Sequence, residues 1–504
     1  MTDVVPEHSP PSRLSTGTAG LDDVLGGGLP RDRLYLVQGL PGAGKTTLAL
    51  RFLLEGVARG ESALYVTLSE TRAEIEQVAA SHGWSLEGLH MFELSAAEQV
   101  LRLEQHESLY ASADVELREA VRVLLGEVER TQPSRVVFDS LSEIRLLAQS
   151  PERYRRQILA LKQFFSGRHC TVLLLDDRVA EQSDAHVESL AHGVIRLDQL
   201  SMGYGADRRR LRIAKLRGSS FRSGHHDCVI RTGGLVVFPR LVAAEHRTEF
   251  VASPISSSIP ELDALLGGGL DRGTSTLVLG PAGTGKSVVA THFAACAAAR
   301  GERAAIFAFE ERLGTLRARS RALGMPMDEQ ERQGRVILQQ IDPAELSPDE
   351  FSHLVREAVE SRGVNVVVVD SLNGYFSSMA SSNHLMLQMH EMLSFLAERG
   401  VTTILTLAQS GILGSMKSPV DISYLADTVL LLRHFEAEGR VRKAISALKK
   451  RSGWHEDTIR ELVLRPSGIA VGPPLADFHG VLTGTPMFTG RAELLDDEPS
   501  RDAR

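Results

Sequence analysis

Two eight-residue strings carry the residue types and spacing needed to hold a nucleoside triphosphate: Gly39-Leu40-Pro41-Gly42-Ala43-Gly44-Lys45-Thr46 and Gly280-Pro281-Ala282-Gly283-Thr284-Gly285-Lys286-Ser287. Both fit the pattern G-x-x-x-x-G-K-[ST], in which glycines let backbone N–H groups face phosphate oxygens and a helix N-terminus adds the positive end of its dipole. In that chemistry Lys45 and Lys286 reach the β- and γ-phosphates, and the hydroxyls of Thr46 and Ser287 ligate Mg²⁺. Thr47 and Val288 follow directly and complete the two candidate phosphate cradles. Each string lies between an apolar run (34–37, 276–279) and a helix-like run (48–57, 288–299), the strand–loop–helix context that the mechanism requires. The spacing therefore predicts ATP or GTP bound at two places.

Such a loop needs an acid for the metal-bound water, and Asp139 and Asp370 each close an apolar run where that acid is expected. Glu310-Glu311 ends the strand that follows the second P-loop helix. One carboxylate there can serve as general base toward the γ-phosphoryl group and the other can face the metal. The matching residues upstream are Ser69-Glu70, so one carboxylate is missing and Glu70 is the candidate that stays. Lys215-Leu216-Arg217 and Lys449-Lys450-Arg451 lie on late strands. Placed across the sheet from their own P-loop, they reach a neighbouring subunit's nucleotide in a ring as arginine fingers do, or else form a solvated basic strand. A run rich in glycine, serine and proline at 411–427 holds Ser423 and Tyr424, and fits a phosphoacceptor, a DNA-binding loop or a plain surface loop.

The elements that must position these residues appear twice. The glycines at 39 and 280 stand 241 positions apart, and Leu21-Asp22 with Leu262-Asp263 and Gly26-Gly27-Gly28-Leu29 with Gly267-Gly268-Gly269-Leu270 keep that offset. Asp139 and Asp370 pair at 231, so the repeat is a whole-domain duplication with small indels. Apolar strands at 63–68, 135–138 and 171–175 alternate with helical patterns at 73–81, 115–128 and 153–165, and the second half repeats the series. That alternation predicts an α/β fold of two tandem P-loop domains, each a mainly parallel sheet flanked by helices. Shorter strands at 194–197, 211–214 and 229–237 close the first half, with counterparts at 429–432, 442–447 and 459–464. The expected division is a short N-terminal extension (1–12), a first domain (13–247), a second domain (248–490) and an acidic, disordered tail (491–504).

Composition narrows the class. The 504 residues are 43% hydrophobic and 24% charged, with a net charge of −8, which argues against a nucleic-acid partner. No apolar run is long enough to span a bilayer, and residues 1–13 do not read as a signal peptide. Cys170, Cys228 and Cys296 stand apart, without the pairing of a zinc site or a disulfide framework, and a reducing cytoplasm is the expected home.

From residue 13 to about 490 the chain resembles the KaiC family, the double RecA-like ATPases best known from the cyanobacterial circadian clock. The resemblance rests on Gly27-Gly28-Leu29-Pro30, Tyr65-Val66-Thr67, Phe307-Ala308-Phe309-Glu310-Glu311, Asp370-Ser371-Leu372, Asp427-Thr428-Val429-Leu430-Leu431-Leu432 and Gly453-Trp454-His455. It implies a homohexameric double ring with ATP and Mg²⁺ at subunit interfaces, slow hydrolysis, and autophosphorylation of a Ser and an adjacent Thr in the C-terminal ring. Carried over by position, Glu310 is the general base, Glu311 and Ser287 support Mg²⁺, and Lys215 to Arg217 and Lys449 to Arg451 contact the neighbour's nucleotide. Ser423 falls on the phosphoacceptor pair, while Tyr424 replaces the Thr. Ser69 and Tyr424 are departures from the family pattern, so a two-site phosphorylation cycle and a daily clock are not implied. The expected function is a cytoplasmic signalling or stress ATPase with serine autokinase activity and regulatory protein partners. DNA-stimulated turnover would instead mark a RecA-like DNA-dependent ATPase. Assembly on ATP without phosphate release would mark a non-catalytic signalling scaffold.

Overall fold

A computed structural model of the chain describes residues 12–94, 113–177, 185–202, 204–377, 384–409, 424–482 and 487–488. The candidate phosphoacceptor Ser423, the loop from 410, the N-terminal extension up to 11 and the acidic tail lie outside them. The chain divides into two compact units, Met1–Arg240 and Leu241–Arg504.

The first unit is built on a nine-stranded sheet among the described residues. Its order across the sheet is Gly234–Phe238, His226–Arg231, Arg208–Leu216, Gly193–Leu200, Leu34–Gly39, Thr171–Asp177, Arg135–Asp139, Ala63–Thr67 and His90–Glu93. The P-loop strand Leu34–Gly39 runs parallel to both neighbours, and the strands from Gly193–Leu200 to His90–Glu93 are all parallel. Arg208–Leu216, His226–Arg231 and Gly234–Phe238 are antiparallel to their neighbours.

Burial follows the two-residue period of a strand covered on both faces. Tyr35, Val37, Tyr65, Val137, Leu173 and Leu175 pack with Leu48, Phe52 and Leu53 of the P-loop helix Lys45–Ala58. The alternate residues Leu36, Leu64, Val66, Val136, Phe138 and Leu174 pack with Leu124, Ile144, Ile158 and Leu161 from helices on the opposite face. Full burial of such side chains contributes about 1.5–3 kcal/mol each, so this double-sided core fixes where every strand ends.

The second unit repeats the plan with nine described strands, in the order Val336–Gln340, Ala304–Ala308, Val366–Asp370, Thr402–Ala408, Ser275–Gly280, Thr428–Ala437, Arg440–Lys450, Ile459–Arg465 and Gly468–Pro474. Val278, Ile306, Val368 and Ile404 face Val289, Phe293, Ala294 and Ala297 of the P-loop helix Lys286–Ala299. Leu277, Leu279, Phe307, Val367 and Leu405 face Phe351, Met392, Phe395 and Leu396. The expected α/β architecture of two RecA-like domains is thus present.

Several local readings needed correction. The segment 229–237, expected as one strand, is a hairpin of His226–Arg231 and Gly234–Phe238. Gly233 and Gly234 take φ of 97° and 114°, which turns the chain where an apolar pattern alone suggested continuation. The edge strands His90–Glu93 and Val336–Gln340 were not anticipated, because each is short and only partly buried. Helices Leu141–Ala148 and Leu372–Ser377, directly after the two acid-bearing strands, were also missed, as was strand Gly468–Pro474.

Candidate nucleotide sites

Each P-loop strand ends in the centre of its sheet, and the chain then enters its helix through a glycine with positive φ. Gly44 and Gly285 both sit at 102°, a conformation that favours glycine. No side chain among the described residues caps either helix, which leaves first-turn N–H groups for an anion. Ala43, Thr47, Thr284 and Val288 are buried under the loop and fix its shape. The Thr284 hydroxyl donates to Pro281 O at 2.9 Å.

The two lysines are folded onto their loops. Lys45 Nζ donates to Gly39 O and Leu40 O at 3.0 Å each, and lies 2.7 Å from Asp177 Oδ1. Lys286 Nζ donates to Pro281 O at 2.8 Å. Burial pulls the Lys286 ammonium below its ordinary pKa, against the opposing pull of the Asp370 and Glu310 carboxylates.

The parallel register sets Asp139 and Asp370 at the same edge as the loops, and both are buried. Thr46 Oγ1 donates to Asp139 Oδ2 at 2.8 Å, so the two candidate metal groups of the first site touch. Tyr65 donates its phenol proton to the same oxygen at 2.5 Å. Burial raises the Asp139 pKa; the Tyr65 and Thr46 hydrogen bonds and Lys45 oppose the shift without cancelling it. In the second site Thr406, on the strand on the other side of the acid, donates to Asp370 Oδ1 at 2.5 Å. Tyr65 is matched there by Ile306, and Thr406 is matched in the first unit by Leu175.

The acidic positions after the next strand are arranged differently in the two units. Ser69 is exposed, whereas Glu70 turns inward, with Oε2 buried and without a hydrogen-bond partner among the described residues. Burial raises its pKa, and the Asp139, Glu74 and Asp177 carboxylates add to that shift. In the second unit Glu310 is exposed, whereas Glu311 is held by Arg319 through two bonds of 3.2 and 2.7 Å. Val78 occupies the position of Arg319 in the first unit, so nothing equivalent draws Glu70 away.

The basic triplets sit at the other end of the sheet. Lys215 is level with Val194, while the P-loop end Gly39 is level with Leu197, and strand Arg208–Leu216 runs antiparallel. At about 3.3 Å per residue the separation along the strand is roughly 10 Å or more. Lys215 Nζ donates to Glu188 O and Arg217 Nη2 to Ser189 O, while Leu216 is buried. In the second unit Lys449 donates to Ala426 O and Arg451 to Tyr424 O. Lys450 points into its own unit: it donates to Leu266 O and Gly269 O, pairs with Asp271 at 3.1 Å, and its side chain is only 4% exposed.

Sequence reasoning missed Tyr65, Thr406, Asp177 and Arg319. Asp177 left a visible signal, since the apolar run 171–175 closes in Asp176-Asp177 on the strand beside the P-loop strand. A phenol or hydroxyl inside an apolar strand, as at Tyr65 and Thr406, is a weaker signal of the same kind.

Comparison with known proteins agrees with this geometry. A family model described as "ATPase: KaiC" matches residues 14–242 and again 255–476. The circadian clock protein KaiC3 of Synechocystis is 28% identical over 494 residues, covering 96% of this chain and 96% of that protein. The circadian clock oscillator proteins KaiC of Thermostichus vulcanus and Synechococcus elongatus are 27% and 26% identical, covering 94% and 95% of this chain and 92% and 93% of their own lengths. The match of that family model to both repeats, over most of the chain, places it in the KaiC family of ATPases.

Proposed function

We propose that the protein hydrolyses ATP in both domains and that the second domain also phosphorylates Ser423, within a homohexamer. The observation that carries the reading is the contact of Thr46 with Asp139 beside Lys45, which gathers metal-binding and phosphate-binding groups at one helix N-terminus. The donors at each site, a hydroxyl and a carboxylate, are hard oxygens. This suits Mg²⁺, which uses few protein oxygens and keeps waters and substrate phosphates. Thr46 and Asp139, or Ser287 and Asp370, would hold it; when bound it neutralises charge on the β- and γ-phosphate oxygens. A metal role for Glu311 would require release of Arg319, whereas Asp370 needs no such change.

In the second domain Glu310 accepts the proton of the attacking hydroxyl, either water or Ser423. The new O–Pγ bond forms as the bond from Pγ to the bridging oxygen breaks, and ADP departs. Lys286 and the first-turn amides stabilise charge on the departing phosphates. In the first domain Glu70 is the carboxylate that faces the site and takes the base role. Arg217 and Arg451, exposed at the end of the sheet far from their own P-loop, supply charge to the nucleotide of the adjacent subunit. Lys215 and Lys449 hold these segments in place through backbone carbonyls, and Lys450 keeps a structural role. No helix among the described residues is long and apolar enough to cross a membrane. The reading is completed by a cytoplasmic signalling role with regulatory protein partners and without a nucleic-acid partner.

The test is Glu310→Gln in the full chain. Phosphopeptide mapping after incubation with Mg²⁺-ATP should find Ser423 unmodified while nucleotide still binds. Undiminished phosphate on Ser423 in that variant would remove Glu310 from the base role.

A further inference from the structure

We propose that Asp177 is a latch on the first nucleotide site: it occupies the phosphate-binding lysine, and ATP must displace it to bind. The inference rests on the reading of Lys45 as a phosphate ligand.

An ammonium has three N–H donors. Lys45 has three acceptors within 3.0 Å: Gly39 O, Leu40 O and Asp177 Oδ1. Every proton that would bind a phosphate oxygen is therefore already directed at protein. The two carbonyls belong to the loop that wraps the phosphates, so the carboxylate is the partner a nucleotide can replace with like charge. Asp177 is also held in this pose from behind. Ser142 Oγ donates to Oδ2 at 2.9 Å, and Ser140 Oγ lies 3.4 Å from the same oxygen. Both serines follow the acid-bearing strand, and Asp177 stands level with Gly39 in the parallel register.

The second site lacks the device. Ala408 is level with Gly280, and Leu407-Ala408 stand where the first unit has Asp176-Asp177. Asn373, at the position of Ser142, instead exchanges hydrogen bonds with the Ala408 backbone at 3.1 and 2.7 Å. Two P-loops of the same pattern thus differ in the partners that hold their lysine. The closed latch lowers apparent affinity by the fraction of time the lysine is free. Asp177 also adds a third carboxylate near Lys45, with Asp139 and Glu70, which opposes the approach of a triphosphate until one negative group swings out.

The experiment uses the full chain carrying Lys286→Ala, which silences the second site, titrated with a fluorescent ATP analogue in Mg²⁺. Adding Asp177→Asn keeps the side-chain shape and an acceptor for Ser142 while removing the negative charge beside Lys45. Apparent affinity should rise about tenfold, the factor for a latch closed about nine-tenths of the time. Asp177→Ala should move affinity in the same direction. Unchanged or weaker binding in both variants would overturn the latch. Absence of saturable binding in the Lys286→Ala chain, with or without Asp177, would overturn the first P-loop as a nucleotide site and the latch with it.

Discussion

Replacing Tyr65 by Phe isolates one hydrogen bond at the heart of the first site. The ring is fully buried and the substitution keeps its volume, so no cavity opens. What is lost is the 2.5 Å bond to Asp139 Oδ2, leaving Thr46 at 2.8 Å as the hydroxyl on that oxygen. A hydrogen bond to a charged group is worth about 1.5–3 kcal/mol, and Asp139 is too buried for water to replace the donor freely. If Asp139 must stay ionised and oriented during phosphoryl transfer, about 1.36 kcal/mol per decade converts this to a loss in kcat of roughly 10- to 150-fold. The assay is phosphate release at saturating Mg²⁺-ATP by the full chain with the second site silenced by Lys286→Ala, with nucleotide binding measured in parallel. Binding should change by only a few fold, because the phenol touches the acid and not the loop. Turnover within about twofold of the parent would refute the claim that Tyr65 orients the acid. Thr406→Val, read in a chain carrying Lys45→Ala, should reproduce the loss in the second domain, where the donor comes from the opposite strand.

Two further predictions concern stability and thiol chemistry. Arg135 is fully buried, pairs with Glu61 at 2.5 Å, donates to Ser15 O and Phe52 O, and lies over the Phe52 ring. Glu61→Ala leaves that guanidinium without its counter-charge and should lower the first unfolding transition in urea by about 3–5 kcal/mol, a result that an unchanged midpoint would contradict. Burial pushes the Cys170 and Cys228 thiols up to about 12 from an ordinary 9.0. Both are therefore protonated at pH 8, and intact-mass analysis with iodoacetamide should find neither alkylated until the chain is denatured. Because a raised pKa means the folded state disfavours the thiolate, their linked contribution is constant below about pH 9. It turns increasingly unfavourable as pH rises from there toward 12.

The strand–loop–helix units, the duplication and the sheet edge that carries the chemistry were legible because each leaves a local signature. Continuous apolar runs give parallel strands buried on both faces, and a glycine-lysine string between strand and helix gives the loop. Asp139 and Asp370 were legible because a charge that ends an apolar run has one place to go, the strand's C-terminal edge. Edge strands such as His90–Glu93 were not, since half-exposed residues show no apolar run and their pairing depends on a distant partner. Nor were the partners of the acids. Whether Glu311 faces the site depends on Arg319 one helix further on, and whether Lys45 is occupied depends on a strand more than a hundred residues away.

The two sites have diverged in side chains rather than in backbone. Gly39 and Gly280 meet equivalent neighbours in equivalent parallel registers, and both P-loop helices begin through glycines at the same φ. The differences sit one layer out, in side chains at strand ends: Tyr65 against Thr406 as donor to the acid, Asp177 against Ala408 beside the lysine, Val78 against Arg319 behind the second glutamate. Each exchange keeps the backbone and alters one charge or hydrogen bond. The second unit presents Glu310 with Glu311 tied back by Arg319, while the first has lost the outer carboxylate at Ser69 but keeps Glu70 inward and Asp177 on its lysine. An apparent loss of acid in the first site is therefore a redistribution. A carboxylate there touches the lysine, Asp177 at 2.7 Å from Lys45, whereas Ala408 at the matching position of the second site offers Lys286 no charge.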